Sequence, residues 1–321
     1  MRAMSRLDEL RLMSKVARMY YVQGIRQQGI TERLQIHQST VSRLLKRARE
    51  ANLVRFSVTT PPGIFADIED QLIARFGLKD AMVVECPNEE EPMVRDLGAA
   101  TAYFLETTVK PGTTIGISSW SRSLFAMVDA LQPGDYCRGG KVVQILGGVG
   151  VAGVEHQAMY LAQRLAASIG ASPVLLQAPG VVGSAEARRV LARDPAVREA
   201  SELFEHLDLA LVGIGSMEPS RLLSSSGNVF SPEERNELMK QGAVGDVCFR
   251  FYDEQGEFIK SPLMQRVIGI EAAALKRVSR VVAVAGGRKK VRATLAALRG
   301  GWVNVLITDL RAAEALLNES A

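Results

Sequence analysis

Short apolar runs, many rich in β-branched residues, recur from about residue 80 onward and constrain the fold more than any other feature of this sequence. Each run has the length of a buried strand, and segments with helical patterns lie between several of them, at 92–109, 122–131 and 155–169. Strands that alternate with helices pair in parallel. The sequence therefore predicts a parallel α/β sheet built from AMVVEC (81–86), TTIGIS (113–118), KVVQIL (141–146), SPVLLQA (172–178), LALVGIG (209–215), RVVAVAG (280–286) and VNVLITD (303–309).

Four of these runs are followed by loops that contain glycine or serine. The loops are SSWSRS (118–123), GGVG (147–150), GIGS (213–216) and AGGRKK (285–290). In parallel sheets, ligands bind beyond the C-terminal ends of the strands, where these loops are expected to lie. Glycine permits close approach of the backbone, serine supplies hydroxyls, and the N–H groups at a helix start favour anions. Together the loops indicate a cradle for a small phosphorylated ligand, although any one glycine alone is more typical of a plain turn.

Charged residues near these loops are candidates for contacts with such a ligand. Lys289 or Lys290 can offset the charge of the phosphate. Arg266, Asp246 and Asp309 can contribute specificity through hydroxyl or charge contacts. A structural salt bridge is the alternative role for these last three residues, because charged side chains are seldom buried without a partner.

Gly148, Gly150 and Gly153 form a G-x-G-x-x-G pattern after a predicted strand, which is the fingerprint of a dinucleotide site. That fingerprint also requires an Asp or Glu at the end of the next strand, which instead ends in QAP (177–179). We therefore expect no nicotinamide cofactor. The three cysteines and three histidines are scattered without ligand spacing, so we expect no metal site and no disulfide framework.

The charge of the chain is divided unequally along its length. The net charge is +4, but residues 1–60 hold 12 Lys and Arg against 4 Asp and Glu, a net +8, and the remainder carries −4. Such segregation is typical of a short basic module that binds a polyanion, attached to a larger domain that does not. No apolar run is long enough for a membrane helix and no signal-peptide pattern is present, so we expect a cytoplasmic protein.

The basic N-terminal region carries the pattern of a helix-turn-helix unit. Apolar residues at three- and four-residue steps predict a first helix over 7–23, ended by Gly24, and a second helix over 26–34. A short turn, QIHQ (35–38), precedes the segment STVSRLLKRARE (39–50). The apolar positions of that segment share one helical face: Val41, Leu44, Leu45 and Ala48.

Position within this last helix predicts the role of each polar residue. In a helix-turn-helix unit the second helix lies in the major groove of DNA, with its N-terminal residues facing base edges and its later cations near phosphates. Candidates for base or near-base contacts are Gln38, Ser39, Thr40, Ser42 and Arg43. Candidates for phosphate contacts are Lys46, Arg47 and Arg49, and Arg55 adds a cation just beyond the helix. The alternative, a solvated amphipathic helix, leaves the preceding short helix and the local charge as coincidences.

A linker is predicted next. The extended segment LVRFSVTTPPG (53–63) is expected to form a strand or wing edge and then a linker, because proline and glycine do not readily continue regular structure. We therefore place a DNA-binding domain at 1–60 and an effector and oligomerisation domain at 61–321. Because one helix-turn-helix unit covers a single half-site of DNA, we expect a homo-oligomer, a dimer or a tetramer.

The segment YYVQGIRQQGITERLQIHQSTVSRLLKRAREANLVRFSV (20–58) resembles the N-terminal module of the SorC family of bacterial transcriptional regulators. The sequence departs from the family pattern at Gln35, where a turn glycine is common, and at His37, where a serine caps the next helix better. The resemblance extends over nearly the whole chain. The segments that carry it in the second half are GISSWSRSL, VVQILGGVG, DLALVGIGS, GAVGDV, RVIGI, VAVAGG and NVLITD.

The resemblance implies a small all-α helix-turn-helix domain followed by a Rossmann-like parallel α/β effector domain. It implies kinship in fold with ribose-phosphate isomerases and aminosugar-phosphate deaminases, and an assembly that is usually tetrameric. Ser121 stands where the family often has Gly, and Ser123 where it often has Thr, so the first loop is expected to be shaped for a different ligand. The implied effector contacts are Ser118, Ser119, Trp120, Ser121, Arg122, Ser123, Gly147, Gly148, Gly213, Gly215, Asp246, Arg266 and Lys289.

These observations favour a regulator rather than an enzyme: a protein that binds double-stranded operator DNA of a carbohydrate or polyol catabolic operon, under control of a phosphorylated sugar or polyol. The alternative is a sugar-phosphate isomerase or deaminase with an accessory DNA-binding module. Acid–base catalysis needs a placed carboxylate or histidine, and Asp246 can supply one. His156 and His206, however, lie in helical stretches away from the strand-end loops. A third reading, an architectural DNA-binding protein without a ligand, leaves the glycine- and serine-rich loops unexplained.

Overall fold

Two compact units make up the chain, residues 1–60 and residues 61–321. A computed structural model describes residues 6–51, 53–54, 61, 63–149, 155–218, 220–225 and 230–319. Most of the predicted wing edge, with Arg55, lies outside the described residues, as do Gly150 and Gly153 of the glycine pattern. None of the helices within the described ranges is long and apolar enough to cross a membrane.

The N-terminal unit consists of three helices close to the predicted bounds. Helix α1 spans Arg6–Ala17 and continues as one π-helical turn, Arg18–Val22, before Gly24 reverses the chain at a φ of +64°. Helix α2 spans Gln27–Leu34 and α3 spans Gln38–Glu50. The predicted stripe of α3 packs inward. The buried core of this unit is Met13, Val16, Met19, Ile30, Val41, Leu44 and Leu45.

Gln35 makes the turn between α2 and α3 in a left-handed conformation, with φ 53° and ψ 42°. Its backbone N–H donates to Thr31 O, which closes the last turn of α2. Left-handed backbone is sterically unfavourable for a residue with a Cβ, which explains why glycine is favoured at such a position. His37 precedes α3 without capping it through its side chain. Both departures from the family pattern are thus accommodated in the predicted turn.

All seven predicted runs become strands of a single sheet. The strands of the described residues are β1 Asp80–Val84, β2 Thr114–Ile117, β3 Lys141–Gln144, β4 Ser172–Val174, β5 Leu209–Gly213, β6 Gly215–Ser216, β7 Gly245–Val247, β8 Arg250–Tyr252, β9 Arg280–Val284 and β10 Val305–Asp309. The seven-stranded sheet has the order β1-β10-β9-β5-β2-β3-β4, and every pairing in it is parallel. The predicted parallel α/β fold is therefore confirmed.

Helices cover both faces of this sheet. Neighbouring residues of one strand, such as Val142 and Val143, are both fully buried and belong to different hydrophobic clusters on the two faces. Burial on both faces is why these strands have nearly continuous apolar sequences. The α-helices of this unit within the described ranges are α4 Ala66–Phe76, α5 Glu90–Thr108, α6 Arg122–Ala130, α7 Glu155–Ile169, α8 Ala185–Leu191, α9 Pro195–Glu202, α10 Arg221–Ser225, α11 Pro232–Lys240, α12 Ala272–Arg277, α13 Val291–Arg299 and α14 Leu310–Asn318.

A small antiparallel sheet, β6-β7-β8, was not predicted from the sequence. Strands β7 and β8 pair from Gly245–Tyr252 to Val247–Arg250, so only Cys248 and Phe249 connect them. Both connecting residues have positive φ, 52° and 59°. Two-residue hairpin loops of this kind usually contain Asn or Gly, and a Cys-Phe pair gives no turn signal.

Candidate functional site

The candidate ligand site lies at the point of the parallel sheet where the chain changes the side on which it adds strands. From β2 the chain proceeds to β3 and β4 on one side, and from β5, the other neighbour of β2, it proceeds to β9 and β10. Loops that leave two such strands in opposite directions open a crevice beyond their C-terminal ends, which is where α/β proteins bind ligands. The four predicted loops follow the adjacent strands β9, β5, β2 and β3, so they occupy one stretch of one edge.

The loop after β2 is fixed to the loop after β3 by side-chain hydrogen bonds. Ser119 Oγ donates to Leu146 O at 2.6 Å, and Trp120 Nε1 donates to Gly147 O at 3.3 Å. Ser118, Ser119, Trp120 and Ser123 are all buried. The hydroxyl of Ser119 therefore holds the two loops together in this structure.

Glycines in these loops are required by the packing of the protein itself. A Cβ at Gly147 would overlap the backbone of Pro179, and a Cβ at Gly215 would overlap Asp246 Oδ1. A Cβ at Gly213 would lie 2.9 Å from Ser121 Oγ. Gly213 and Ser121 thus bring the loops after β5 and β2 into contact. For Gly147, the close approach of Pro179 is by itself a sufficient reason for glycine at this position.

Asp246 and Lys290 form the charged part of this edge. Asp246 Oδ2 accepts a hydrogen bond from Phe249 N at 2.9 Å, so the carboxylate closes the hairpin between β7 and β8. Burial raises the pKa of Asp246 to about 6, opposed by that hydrogen bond and by the positive charge of Lys290. Burial likewise lowers the pKa of Lys290, while Asp246 and Glu90 raise it and Arg122 lowers it.

Of the two lysines that the sequence left open, the structure favours Lys290 over Lys289. Lys289 is exposed, whereas Lys290 is partly buried and interacts with Asp246. Residues Arg288–Lys290 form a single 3₁₀ turn that leads directly into α13. The phase of that turn decides which lysine faces the edge, and the sequence alone does not show it.

Asp309 and Arg266 both have partners within the protein, but among the described residues only Arg266 forms the salt bridge that was the alternative for both. Asp309 accepts hydrogen bonds from Gly287 N at 2.6 Å and from Ala312 N at 3.1 Å, so it anchors the AGGRKK loop and caps α14. Arg266 Nε donates to Val182 O at 2.6 Å, and its guanidinium pairs with Glu234 of α11. In this structure the guanidinium of Arg266 therefore already has a carboxylate partner.

Arg122 is also occupied, because it pairs with Glu90 and Glu91 of α5 at 2.6 Å each. Gly148, in the loop after β3, is buried. The guanidinium of Arg122 is thus already paired with carboxylates, and Gly148 can offer a ligand only its backbone.

Sequence reasoning missed two polar residues at this site. Gln144, the last residue of β3, is fully buried, and its Nε2 donates to Ser119 Oγ at 3.0 Å and to Leu146 O at 3.1 Å. Its presence as the only uncharged polar residue in the run KVVQIL was the available signal. Arg235 of α11 lies with Asp246 along a narrow crevice, and its buried Nε has no hydrogen-bond partner within the described part of the chain.

Most of the polar residues predicted to contact DNA lie on the exposed face of α3. Gln38, Ser39, Ser42, Arg43 and Arg49 are exposed, and Thr40 is partly buried. Lys46 lies 3.8 Å from Glu50 in a loose surface pair. Arg47 forms an ion pair with Glu9 of α1, so part of its role is to hold α3 against α1.

No group of three or more His, Cys, Asp or Glu residues within the described ranges has the arrangement of a metal site. The polar groups at the sheet edge include the carboxylate of Asp246, the ammonium of Lys290 and the start of the 3₁₀ turn that leads into α13. This set is suited to an anion that also carries hydroxyls.

Comparison with known proteins shows similarity over both units. A family model described as "Putative sugar-binding domain" matches residues 62–318. The chain is 33% identical over 316 residues to the deoxyribonucleoside regulator of Bacillus subtilis, covering 97% of this chain and 99% of that protein. It is 31% identical over 317 residues to the sorbitol operon regulator of Klebsiella pneumoniae, covering 98% and 100%. The crystal structure of that full-length regulator, SorC, matches with a TM-score of 0.72 at 30% identity, covering 97% of this chain and 100% of that chain.

Proposed function

The chain belongs to the SorC family of bacterial transcriptional regulators, and on that premise we propose that it binds operator DNA through α3 under control of a phosphorylated sugar or polyol. The regulated genes, on this proposal, form a carbohydrate or polyol catabolic operon. The similar proteins are named for a sorbitol operon and for deoxyribonucleosides, which supports a sugar-related effector.

The observation that carries the proposal is the electrostatic interaction of Asp246 with Lys290, at the sheet edge where Gly213 and Ser121 bring the loops after β5 and β2 together. A phosphate placed near Lys290 and the start of the 3₁₀ turn Arg288–Lys290, which leads into α13, meets a cationic side chain and a helix N-terminus, both of which favour an anion. The hydroxyls of the same ligand can then donate to Asp246 and exchange hydrogen bonds with Ser121. Arg235 adds a donor on the side of α11.

Control of DNA affinity requires that the effector bind one conformation of the protein better than another. The free energy of such coupling is typically about 1 to 3 kcal/mol, which corresponds to roughly 5- to 150-fold in affinity. We propose that a pentose, tetritol or hexose phosphate changes operator affinity within this range, and that it lowers it, as in induction of a repressor. The unphosphorylated parent compound lacks the charge that Lys290 offsets and is expected to do much less.

The test is operator binding titrated with phosphorylated and unphosphorylated sugars, in wild type, Lys290→Gln and Lys289→Gln. These two variants are a matched pair, because they remove the same charge from neighbouring positions. We expect Lys290→Gln to lose most of the response and Lys289→Gln to retain it. Equal responses to both ligand forms, or equal loss in both variants, would contradict the placement of the phosphate and leave DNA binding by α3 intact.

The alternative function, a sugar-phosphate isomerase or deaminase with an accessory DNA module, has less support because the similar proteins are named as regulators. Incubation with a panel of sugar phosphates, followed for turnover and for thermal shift, separates the two. We expect thermal shift without turnover.

We also propose that the protein acts as a homo-oligomer. A single α3 covers one half-site of DNA, and two copies related by a twofold axis cover the two halves of a near-palindrome.

A further inference from the structure

A second cavity, of about 430 Å³, lies in the unit formed by residues 61–321, which we call the effector unit. Its walls come from α8, from the segment after β8 and from the residue before α12. None of the residues predicted to bind the effector lines it. Its volume falls within the range of about 300 to 1,000 Å³ that small-molecule sites occupy.

The floor of this cavity contains a buried guanidinium. The side chain of Arg250 is only 1% exposed, and it donates to Ile270 O at 2.9 Å, Gly269 O at 3.2 Å and Met264 O at 3.4 Å. Burial lowers the pKa of Arg250, and Glu271 opposes that effect. The backbone contacts fix the guanidinium in place without neutralising its charge.

One carboxylate serves more than one cation here. The same oxygen of Glu271, Oε1, pairs with Arg188 and, at 3.2 Å, with Arg250. Lys260 at the rim adds a third positive charge, and Glu271 is the only acidic residue in the lining. The lining therefore carries a net charge of +2, and a cleft with an excess of one sign concentrates ions of the opposite sign.

Apolar side chains complete the cavity. Phe258 and Met264 line it together with the charged residues. A site that combines an apolar wall with fixed donors favours a ligand that has both an apolar body and an anionic group. We propose that this cavity is a second binding site, for a small organic anion that carries a phosphate or carboxylate on an apolar body.

One backbone segment, residues 268–270, connects the cavity to the sheet edge proposed to bind the effector, which we call the effector edge. Arg250 binds the carbonyls of Gly269 and Ile270, while Ile268 O accepts from Gly147 N at 2.9 Å and Ile270 N donates to Ile145 O at 2.8 Å. An anion that binds beside Arg250 therefore lies next to the side chain that holds this segment, and the segment in turn supports the loop after β3. Binding itself, however, does not depend on the proposed regulatory function.

The test is isothermal titration of the full chain with phenyl phosphate, performed in a Lys290→Gln background so that the effector edge is weakened. In this background Lys260→Gln removes a cation from the cavity, and Lys110→Gln removes an exposed lysine outside its lining as a matched control. We expect Lys260→Gln to weaken binding by about 10-fold, the loss expected for one charge-assisted contact, and Lys110→Gln to leave it unchanged.

Glu271→Gln provides a test of opposite sign. Removal of the competing carboxylate raises the net charge of the lining to +3, so phenyl phosphate is expected to bind several-fold more tightly. If these residues served only to hold the fold, Glu271→Gln would weaken binding or leave it unchanged, and that result overturns the proposal. Absence of any titration at millimolar phenyl phosphate, or equal affinity in Lys260→Gln and Lys110→Gln, overturns it as well. Thermal unfolding of each variant verifies that the fold is retained.

Discussion

At the scale of single residues, burial of Asp246 makes the stability of the effector unit depend on pH. The pKa of this carboxyl is raised from 3.8 to about 6, so the native state binds a proton more tightly than the unfolded state. Between these two values the free energy of unfolding falls as the pH rises, because the unfolded chain releases its proton first. Two interactions oppose this effect of burial: the carboxylate accepts a hydrogen bond from Phe249 N, and the positive charge of Lys290 lowers its pKa.

Asp246→Asn removes this titration. We expect the stability of the variant relative to wild type to increase as the pH rises from 4 to 7.5, by up to about 3 kcal/mol at about 1.4 kcal/mol per pKa unit. Urea unfolding followed by tryptophan fluorescence measures the effector unit alone, because both tryptophans, Trp120 and Trp302, lie in it. A difference that stays constant across this pH range would show that Asp246 titrates normally.

Arg43 and Lys46 of α3 test the orientation of that helix on DNA. Arg43→Ala is expected to weaken operator binding by about 1 to 3 kcal/mol and to relax the preference at one base pair, because arginine reads guanine through two hydrogen bonds. Lys46→Ala is expected to weaken binding to all sequences about equally and to lower the dependence on salt. Operator and scrambled DNA titrated at several salt concentrations distinguish the two patterns. Unchanged affinity and specificity in Arg43→Ala would mean that another face of α3 meets the bases.

At the scale of elements, the turn between α2 and α3 tolerates a residue that does not suit it. Gln35→Gly removes the steric cost of the left-handed conformation, partly offset by the greater freedom of glycine in the unfolded chain. We expect a net gain of about 0.5 to 1 kcal/mol in the stability of the helical unit. Hydrogen exchange of the α2 and α3 amides in the full chain measures it. Gln35→Ala retains the Cβ and is the control, since it should show no comparable gain.

The sequence predicts an element well when the element is long or when both of its faces are buried. The seven strands of the parallel sheet were all visible as apolar runs because burial on both faces leaves little room for polar residues. Strands β7 and β8, of three residues each, were missed because they are joined by Cys248 and Phe249, which do not resemble a turn. Lys290 was not separable from Lys289, because the choice depends on one 3₁₀ turn. Gln144 donates to Ser119, which is distant in sequence, and Arg235 comes to lie beside Asp246 only in the folded chain; no local pattern reports such proximity.

At the scale of the whole molecule, the division of charge along the sequence corresponds to the division of the chain at residue 60. A basic unit of this size covers only one half of a palindromic operator, so we predict a dimer or a tetramer in solution. Analytical ultracentrifugation at micromolar concentration measures the assembly. A monomer that binds the operator with full affinity would contradict the prediction.

The order of strands in the sheet also has a consequence for how the chain is made. β1, near residue 80, pairs with β10, near residue 305, so the first strand of the large unit waits for the last one to leave the ribosome. The buried core of the helical unit is formed by residues between 13 and 45, and domains usually fold as they are synthesised, N-terminal unit first. Pairing between strands so far apart in sequence is slow. During synthesis, the helical unit therefore completes its fold well before the sheet behind it can close.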